Sequence, residues 1–227
     1  MTFSTEERSE GLVLRVIPLN DTKRILTVFL PEEGILSLAT KTPSSSLNHL
    51  ATATAPLTCS DFIYRKGKHE VYRLLEASIL EDHLLLRSCV NRLHCAGELA
   101  QILLKTQLPG KPAPLLYALT KAYLNRLQHS NNPYNFLTSF YLKLLKHEGL
   151  LRWSAQCVYC NERSVSYFCH GVGTCSMHQT HPSHLLTSRE WALIGQLSTA
   201  RSFQTIEEAT LDLYLLEKLR LFLTELL

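Results

Sequence analysis

The chain has 227 residues, of which 45% are hydrophobic and 19% charged, and its formal net charge is +3. This composition is typical of a soluble globular protein, and so small a net charge does not by itself indicate a nucleic-acid partner. From the acidic, weakly apolar N-terminal stretch we expect no secretory signal, and no apolar run approaches the roughly 18 residues of a membrane span. We therefore expect a cytoplasmic protein with reduced thiols and no membrane segment.

Residues 10–79 predict a small β-domain. The stretches "EGLVLRVI" and "KRILTVFLPEEGILSLAT" contain three short apolar runs, and Pro31-Glu32-Glu33-Gly34 matches a hairpin turn. Two further runs flank Lys66-Gly67-Lys68, whose glycine can supply the positive φ of a tight turn. Five strands without a long helical pattern favour a closed or nearly closed barrel. The OB barrel is the commonest answer of this size, although strand count alone does not separate it from an SH3-like barrel.

From residue 81 the apolar residues recur at helical spacing. Helices are predicted in the ranges 81–107, 113–128, 133–149, 187–197 and 205–226. Pro133 suits a first helical turn, Gly149 suits a C-cap, and Thr187 or Ser188 with Glu190 approximates a capping signal. The last helix is apolar almost all round, which is typical of a helix buried between others or of a docking face.

The positive charge is concentrated in the middle of the chain. Residues 79–156 contain nine Lys or Arg against four Asp or Glu, whereas residues 1–78 are balanced at nine each and residues 157–227 have five against seven. Such a field attracts phosphates or an acidic peptide, with a merely solvated basic face as an equal alternative.

The segment "CVYCNERSVSYFCHGVGTCSMH", residues 157–178, contains four of the seven cysteines. Cys157-x-x-Cys160 and Cys175-x-x-His178 each match one knuckle of a zinc site, and the sequence between them has the alternation and the turn glycines of a hairpin. Two knuckles joined by a hairpin supply the four corners of a tetrahedron. We predict one structural zinc ion per chain, held by these four residues.

Other interpretations of the segment are open. The alternatives for the fourth ligand are Cys169, His170, His181 and His184. A disulfide is disfavoured by the reducing compartment, and a thioredoxin-type redox pair requires a βαβ unit that the sequence does not predict. A catalytic zinc requires an open position and a nearby acid or base, and Glu162 is the only carboxylate close in sequence. A structural site is therefore favoured.

These elements predict an α+β protein in two domains. Residues 1–79 would form a five-stranded OB-type barrel. Residues 80–227 would form an all-α domain that carries the zinc knuckle as an insertion at 157–184.

This order of parts resembles the RecO family of bacterial DNA repair proteins. The resemblance rests on "EGLVLRV", on "RILTVFLPEEGILSLATK" and on "FYLKLLKHEGLL" leading into "CVYCNE", and it covers essentially the full length. The family pattern has a second Cys-x-x-Cys, and here its final position is His178, which zinc accepts as a ligand. The family also has a basic run where this chain reads "KTPSSSLNH".

The resemblance implies a recombination mediator and not an enzyme. Such proteins bind single- and double-stranded DNA, anneal complementary strands, and work with RecR to load RecA onto strands coated by single-stranded-DNA-binding protein, SSB. The sequence has no Gly-x-x-x-x-Gly-Lys-Ser/Thr phosphate loop, which agrees with a role without nucleotide hydrolysis. The alternatives are a zinc-stabilised adaptor that binds protein only, through its last helix, and a zinc hydrolase, for which no general base is evident.

Cationic side chains of the barrel are the candidates for phosphate contacts. They are Arg15, Lys23, Arg24, Lys41, Arg65, Lys66 and Lys68. Tyr64 and Tyr72 are candidate stacking rings for bases. In the helical region, Arg126, Lys143 and Lys146 are candidates for extending the DNA path or for holding the acidic C-terminal tail of SSB, which the family binds through its helical domain.

Overall fold

The computed structural model describes residues 6–41, 48–67, 69–163, 165–181, 183–211 and 213–226. The chain divides into two compact units, Met1–His129 and Ser130–Leu227. The first unit therefore includes residues beyond 79, where the change of periodicity predicts a boundary.

The first unit is built around a closed barrel with the strand order β1-β2-β3-β5-β4. The strands are β1 (Glu6–Asn20), β2 (Lys23–Leu30), β3 (Gly34–Lys41), β4 (Cys59–Arg65) and β5 (Val71–Glu81). Only β3 and β5 pair in parallel; the other pairs are antiparallel. Alternate side chains point inward, as the pleat requires, and Val13, Leu26, Leu38, Phe62 and Tyr64 meet in the core. The predicted OB-type barrel is confirmed.

The predicted Pro-x-x-Gly turn between β2 and β3 packs closely against residues 108–111. Gly34 has a φ of +65°, and a Cβ at this position would lie 2.4 Å from the carbonyl oxygen of Leu108. The backbone N–H of Gly110 donates to the carbonyl oxygen of Glu33 over 2.8 Å. Glycine is required here because both the positive φ and the close backbone approach exclude a side chain.

In the described part of the first unit, the α-helices are α1 (Asn48–Ala53), α2 (Val90–Thr106) and α3 (Pro114–Leu127). Helix α1 is not predicted from the sequence. Its last residue, Ala53, is fully buried in the barrel core. On α3, Lys121 forms an ion pair with Glu10 of β1, and the amide of Asn125 donates to Glu81 of β5 over 2.7 Å. These polar contacts attach α3 to the barrel.

The prediction that a helix begins at residue 81 is wrong. Strand β5 continues to Glu81, a 3-10 turn covers Leu84–Ser88, and α2 begins only at Val90. The reason lies at His83, which has a left-handed φ of 49° and a ring buried between the carbonyl oxygen of Leu57 at 2.8 Å and Oδ1 of Asn125 at 3.1 Å. These distant partners hold the backbone in a conformation that a helix does not allow.

The second unit contains helices around a small sheet. The helices are α4 (Pro133–His147), α5 (Ser188–Thr199), α6 (Phe203–Glu207) and α7 (Leu213–Leu226). The sheet has the order β7-β6-β8, with β6 at Tyr167–Cys169, β7 at Val172–Thr174 and β8 at His184–Leu185. The predicted capping box opens α5: the hydroxyl of Thr187 accepts the N–H of Glu190, whose carboxylate accepts the N–H of Thr187.

The single last helix predicted for 205–226 is wrong, because the chain breaks between α6 and α7. The side-chain amide of Asn135 on α4 donates to the carbonyl oxygens of Ile206 at 3.0 Å and Ala209 at 2.7 Å. The carboxylate of Glu207 accepts the backbone N–H groups of Asn131 and Asn132 just before α4. The backbone carbonyls after α6 thus find partners outside a helix, which ends it.

Candidate functional site

The structure brings the four predicted metal ligands together. One ligand atom from each of Cys157, Cys160, Cys175 and His178 lies within 4.8 Å of the other three. The hairpin of β6 and β7 lies between the two ligand pairs, and its turn is formed by His170 and Gly171, with φ of 45° and 82°. The local pattern of two knuckles and a hairpin therefore brings both pairs to one place.

Three of the six distances between the ligand atoms are close to those of a tetrahedral zinc ion. With zinc–sulfur bonds of about 2.3 Å and a zinc–nitrogen bond of about 2.0 Å, a tetrahedron requires about 3.8 Å between sulfurs and about 3.5 Å between sulfur and nitrogen. The Sγ atoms of Cys160 and Cys175 are 3.7 Å apart. Nδ1 of His178 lies 3.8 Å from Sγ of Cys157 and 3.3 Å from Sγ of Cys175. The residues present therefore fit a metal of this size and preference.

The backbone around the cluster favours an ionised first thiol. Burial raises the pKa of Cys157, but the backbone N–H groups of Cys175, Tyr159 and Cys160 lower that pKa to about 6. At Cys160 the backbone N–H of Glu162 lowers the pKa, whereas desolvation and the neighbouring thiols raise it, and the net direction is upward. A second thiolate beside the first is thus unfavourable without a cation, and a divalent metal removes that cost.

The alternative fourth ligands are outside the group of described residues that could hold a metal. The thiol of Cys169 on β6 is buried and faces the hydroxyl of Thr174 at 3.4 Å. The ring of His184 on β8 packs edge-on against Phe222.

Two tryptophans support the hairpin. Trp153 and Trp191 stack with ring centroids 4.0 Å apart. A Cβ at Gly173 of β7 would lie 2.5 Å from the ring of Trp191, and one at Gly195 of α5 would lie 2.7 Å from the ring of Trp153. The glycines let the rings approach the backbone directly, so the hairpin that leads to Cys175 is packed onto α5.

Several of the predicted phosphate-binding cations of the barrel are engaged within the protein. Arg24 donates to the carbonyl oxygen of Leu50 and to the hydroxyl of Thr54, and desolvation lowers its pKa. Arg65 pairs with Glu6, and Lys66 pairs with Glu33 at 3.0 Å and with Glu7 at 3.9 Å. Lys68 lies outside the described residues.

The remaining cations point outward from the barrel wall, on a surface formed by β1, β2, β3 and β5 that we call the outer face. The strand register arranges its residues in two cross-strand rows and one pair. The first row is Arg15, Thr27, Ser37 and Val71, and the second row is Ile17, Ile25, Ala39 and Arg73. The pair is Lys23 and Lys41. The neighbouring positions Val16, Leu26 and Leu38 pack in the core, so these alternate residues point outward. Arg15, Lys23, Lys41 and Arg73 are exposed, and none of them forms an ion pair with a described residue.

Sequence reasoning missed Arg73. It enters the outer face because β5 pairs in parallel with β3, which sets Arg73 beside Ala39. The alternation of β5, with Leu74 buried and Arg73 exposed, is the signal that could have identified it.

The two candidate stacking rings are not on the outer face. Tyr64 is fully buried in the barrel core, and its hydroxyl is bonded to Glu33. Tyr72 is half-buried against the same core, parallel to Tyr64 with ring centroids 6.3 Å apart. Both rings contribute to packing in the barrel.

Comparison with known families identifies the relationship. The family model "Recombination protein O N terminal" matches residues 1–83, and "Recombination protein O C terminal" matches residues 87–227. The chain belongs to the RecO family. The resemblance that the sequence motifs indicate is therefore confirmed.

Similar proteins of this family span most of the chain. The DNA repair protein RecO of Chlamydia muridarum is 28% identical over 199 residues, which is 86% of this chain and 85% of that protein. The RecO of Chlamydia pneumoniae is 26% identical over 86% of this chain and 78% of its own length. The RecO of Acetivibrio thermocellus is 26% identical over 154 residues, 67% of this chain and 61% of that protein.

The helical cations of this RecO-family chain are placed as follows. Arg126 lies on α3, in the first unit, and is exposed. Lys143 and Lys146 lie one turn apart on α4, in the second unit. The ammonium of Lys143 donates to the carbonyl oxygen of Ala200 at 2.7 Å, and burial lowers its pKa, as does the charge of the exposed Lys146.

Two further observations concern membrane-spanning helices and disulfide bonds. Across the described residues, no helix has the length and apolar character needed to cross a membrane. None of the seven cysteines, all of which are described residues, forms a disulfide bond.

Proposed function

We propose that this protein is a DNA-binding mediator of repair by homologous recombination, acting in the cytoplasm without catalysis of its own. In this proposal it binds single- and double-stranded DNA, anneals complementary strands and, with RecR, helps to load RecA onto SSB-coated strands. The observation that carries the proposal is the outer face, where four exposed cations have no ion pair with a described residue, in a chain of the RecO family. Phosphates are the ligands that such a face attracts without reading sequence.

The metal in this proposal is one structural zinc ion at Cys157, Cys160, Cys175 and His178. The fit of the ligand separations to a tetrahedron supports it, as does the chemistry of three thiols and an imidazole. All four tetrahedral positions would be occupied by protein, which leaves no site for a reacting water. The ion would hold the two knuckles and, through the hairpin, the packing onto α5.

The acidic tail of SSB is assigned in this proposal to the basic helical region. Support comes from the surplus of positive charge in residues 79–156 and from the exposed ammonium of Lys146. The alternative adaptor function requires an apolar docking face on α7. Among the described apolar side chains of α7, Leu215, Leu216, Leu219 and Phe222 are buried, which leaves Tyr214 and Leu221 exposed to support this alternative.

The experiment compares DNA binding of the wild type with that of Arg15→Ala/Arg73→Ala, by fluorescence anisotropy at several salt concentrations. Four phosphate contacts give a slope of log affinity against log salt of about −3 on single strands. The double variant should bind more weakly to every sequence and have a slope smaller in magnitude by about 1.4. The matched control is Arg8→Ala, because Arg8 pairs with Asp61 and is outside the outer face. Equal affinity and slope in the double variant and the wild type would contradict the proposal.

A further inference from the structure

The outer face differs from a base-stacking surface in its side chains. Its central row contains Ile17, which is 46% exposed, and Ile25, with Val71 at 41% in the adjacent row. The only uncharged polar side chains of the two rows are Thr27, which is buried, and Ser37. The face therefore combines aliphatic surface with cations and has little that hydrogen-bonds a base edge.

No described Phe, Tyr or Trp ring of the first unit is placed to stack a base there. These rings are Phe29, Phe62, Tyr64, Tyr72, Tyr117 and Tyr123, and all of them are buried except Tyr72, which is half-buried. Barrels that hold single strands by their bases depend on exposed aromatic rings, because every base has a π-face and an aliphatic side chain has none. The outer face has to bind a strand by other contacts.

The positions of the cations indicate which contacts these are. Arg15 on β1 and Arg73 on β5 are three strand spacings apart by the path through β2 and β3, which is about 14 Å along the curved barrel wall. Lys23 and Lys41 are cross-strand partners at one end of the face. The aliphatic residues lie between these cations. Phosphates at the cations would place the deoxyribose rings, which are largely apolar, against the isoleucines.

We infer that the outer face binds the sugar–phosphate backbone and leaves the bases directed away from the protein. This inference rests on the proposed DNA-binding function and states which part of the strand is recognised. A strand held in this way keeps its Watson–Crick edges free, so a complementary strand can pair with it before it is released. The same face would accept one strand of a duplex, because pairing does not hide the backbone.

The test uses three fluorescent probes of equal length: a mixed-sequence single strand, a base-free abasic strand and a duplex. A single stacked base contributes roughly 5- to 150-fold to affinity, so removing all bases from a stacked strand causes a large loss. We expect the base-free and the normal single strand to bind within about twofold of each other at the same salt concentration. A base-free strand that binds tenfold more weakly or worse would overturn the inference.

Variants separate this inference from the function on which it rests. Ile17→Tyr adds a ring at an exposed position of the outer face and should create a preference for the strand with bases and slow its annealing. Leu80→Tyr, which adds the same ring at an exposed position of β5 outside the outer face, should change neither. Arg15→Ala/Arg73→Ala should weaken binding of all three probes by a similar factor. If no probe binds at any salt concentration, the proposed function fails. If the probes bind but bases are required, or if Ile17→Tyr creates no such preference, only the backbone inference fails.

Discussion

Metal content and coordination are the sharpest test of the second unit. In a regular tetrahedron the separation of two ligands is about 1.63 times the metal–ligand distance, so the 3.7 Å between Sγ of Cys160 and Sγ of Cys175 corresponds to a metal–sulfur bond of about 2.3 Å. This is the zinc–thiolate distance. We expect one zinc per chain and an X-ray absorption spectrum that fits three sulfurs at about 2.3 Å and one nitrogen at about 2.0 Å.

The perturbation is His178→Ala, with His181→Ala as the matched control. His181 is exposed and is not among the residues whose ligand atoms meet. The first variant should lose the nitrogen from the metal shell and hold zinc more weakly against a chelator, because one of four protein ligands is gone. The control should keep both the wild-type shell and the wild-type affinity.

Tryptophan fluorescence reports the structural consequence. The two tryptophans of the chain, Trp153 and Trp191, stack beside Gly173 in the hairpin, so removal of zinc should shift their emission to longer wavelength. Local stabilisation by the metal is up to about 10 kcal/mol on the scale of zinc-finger peptides, and much less should reach the barrel. Zinc near zero under reducing, chelator-free conditions, or an unchanged shell in His178→Ala, would refute the assignment.

The remaining predictions concern stability. Asn135→Ala removes a buried amide with two good carbonyl partners and should cost about 2–3 kcal/mol, measured by urea unfolding with tryptophan fluorescence, whereas the exposed Asn132→Ala should cost under about 1 kcal/mol; equal losses would contradict the role given to burial. Gly34→Ala should cost about 2–4 kcal/mol through its positive φ and a backbone clash, against about 1 kcal/mol for Gly110→Ala, which has the same sign of φ and open space, and hydrogen exchange of the barrel amides distinguishes them. Burial raises the pKa of Glu190, but its lysine partner and the cap of α5 outweigh this and lower it, so stability present at neutral pH should be lost as the pH falls below the ordinary value of 4.5, and Glu190→Gln should flatten that profile in acid unfolding.

Features that depend on neighbouring residues follow from the sequence. The capping box of Thr187 and Glu190 forms as predicted because the helix N-terminus and both side chains lie within one turn. The strands of the barrel follow from alternation, and the spacing of the ligand pairs brings the two knuckles together because the hairpin between them is itself local.

Features that depend on distant partners do not follow from it. The end of α6 depends on Asn135, about seventy residues earlier, and the irregular chain before α2 depends on what surrounds His83. A local pattern has no information on which carbonyl a buried amide will take as its partner. Helical periodicity alone therefore extends both helices too far.

The sequence by itself determined the barrel, the helical region and the set of residues able to bind a metal, because periodicity and ligand spacing are properties of short segments. Only the tertiary structure decided which cations are free. Lys66 and Arg65 resemble Arg15 in the sequence, but the barrel brings acidic residues to the first two and leaves Arg15 exposed. Arg73 joins the outer face through a parallel strand pair that no local pattern specifies. The electrostatic surface is set by which strands become neighbours, and that choice is made by burial of the whole core.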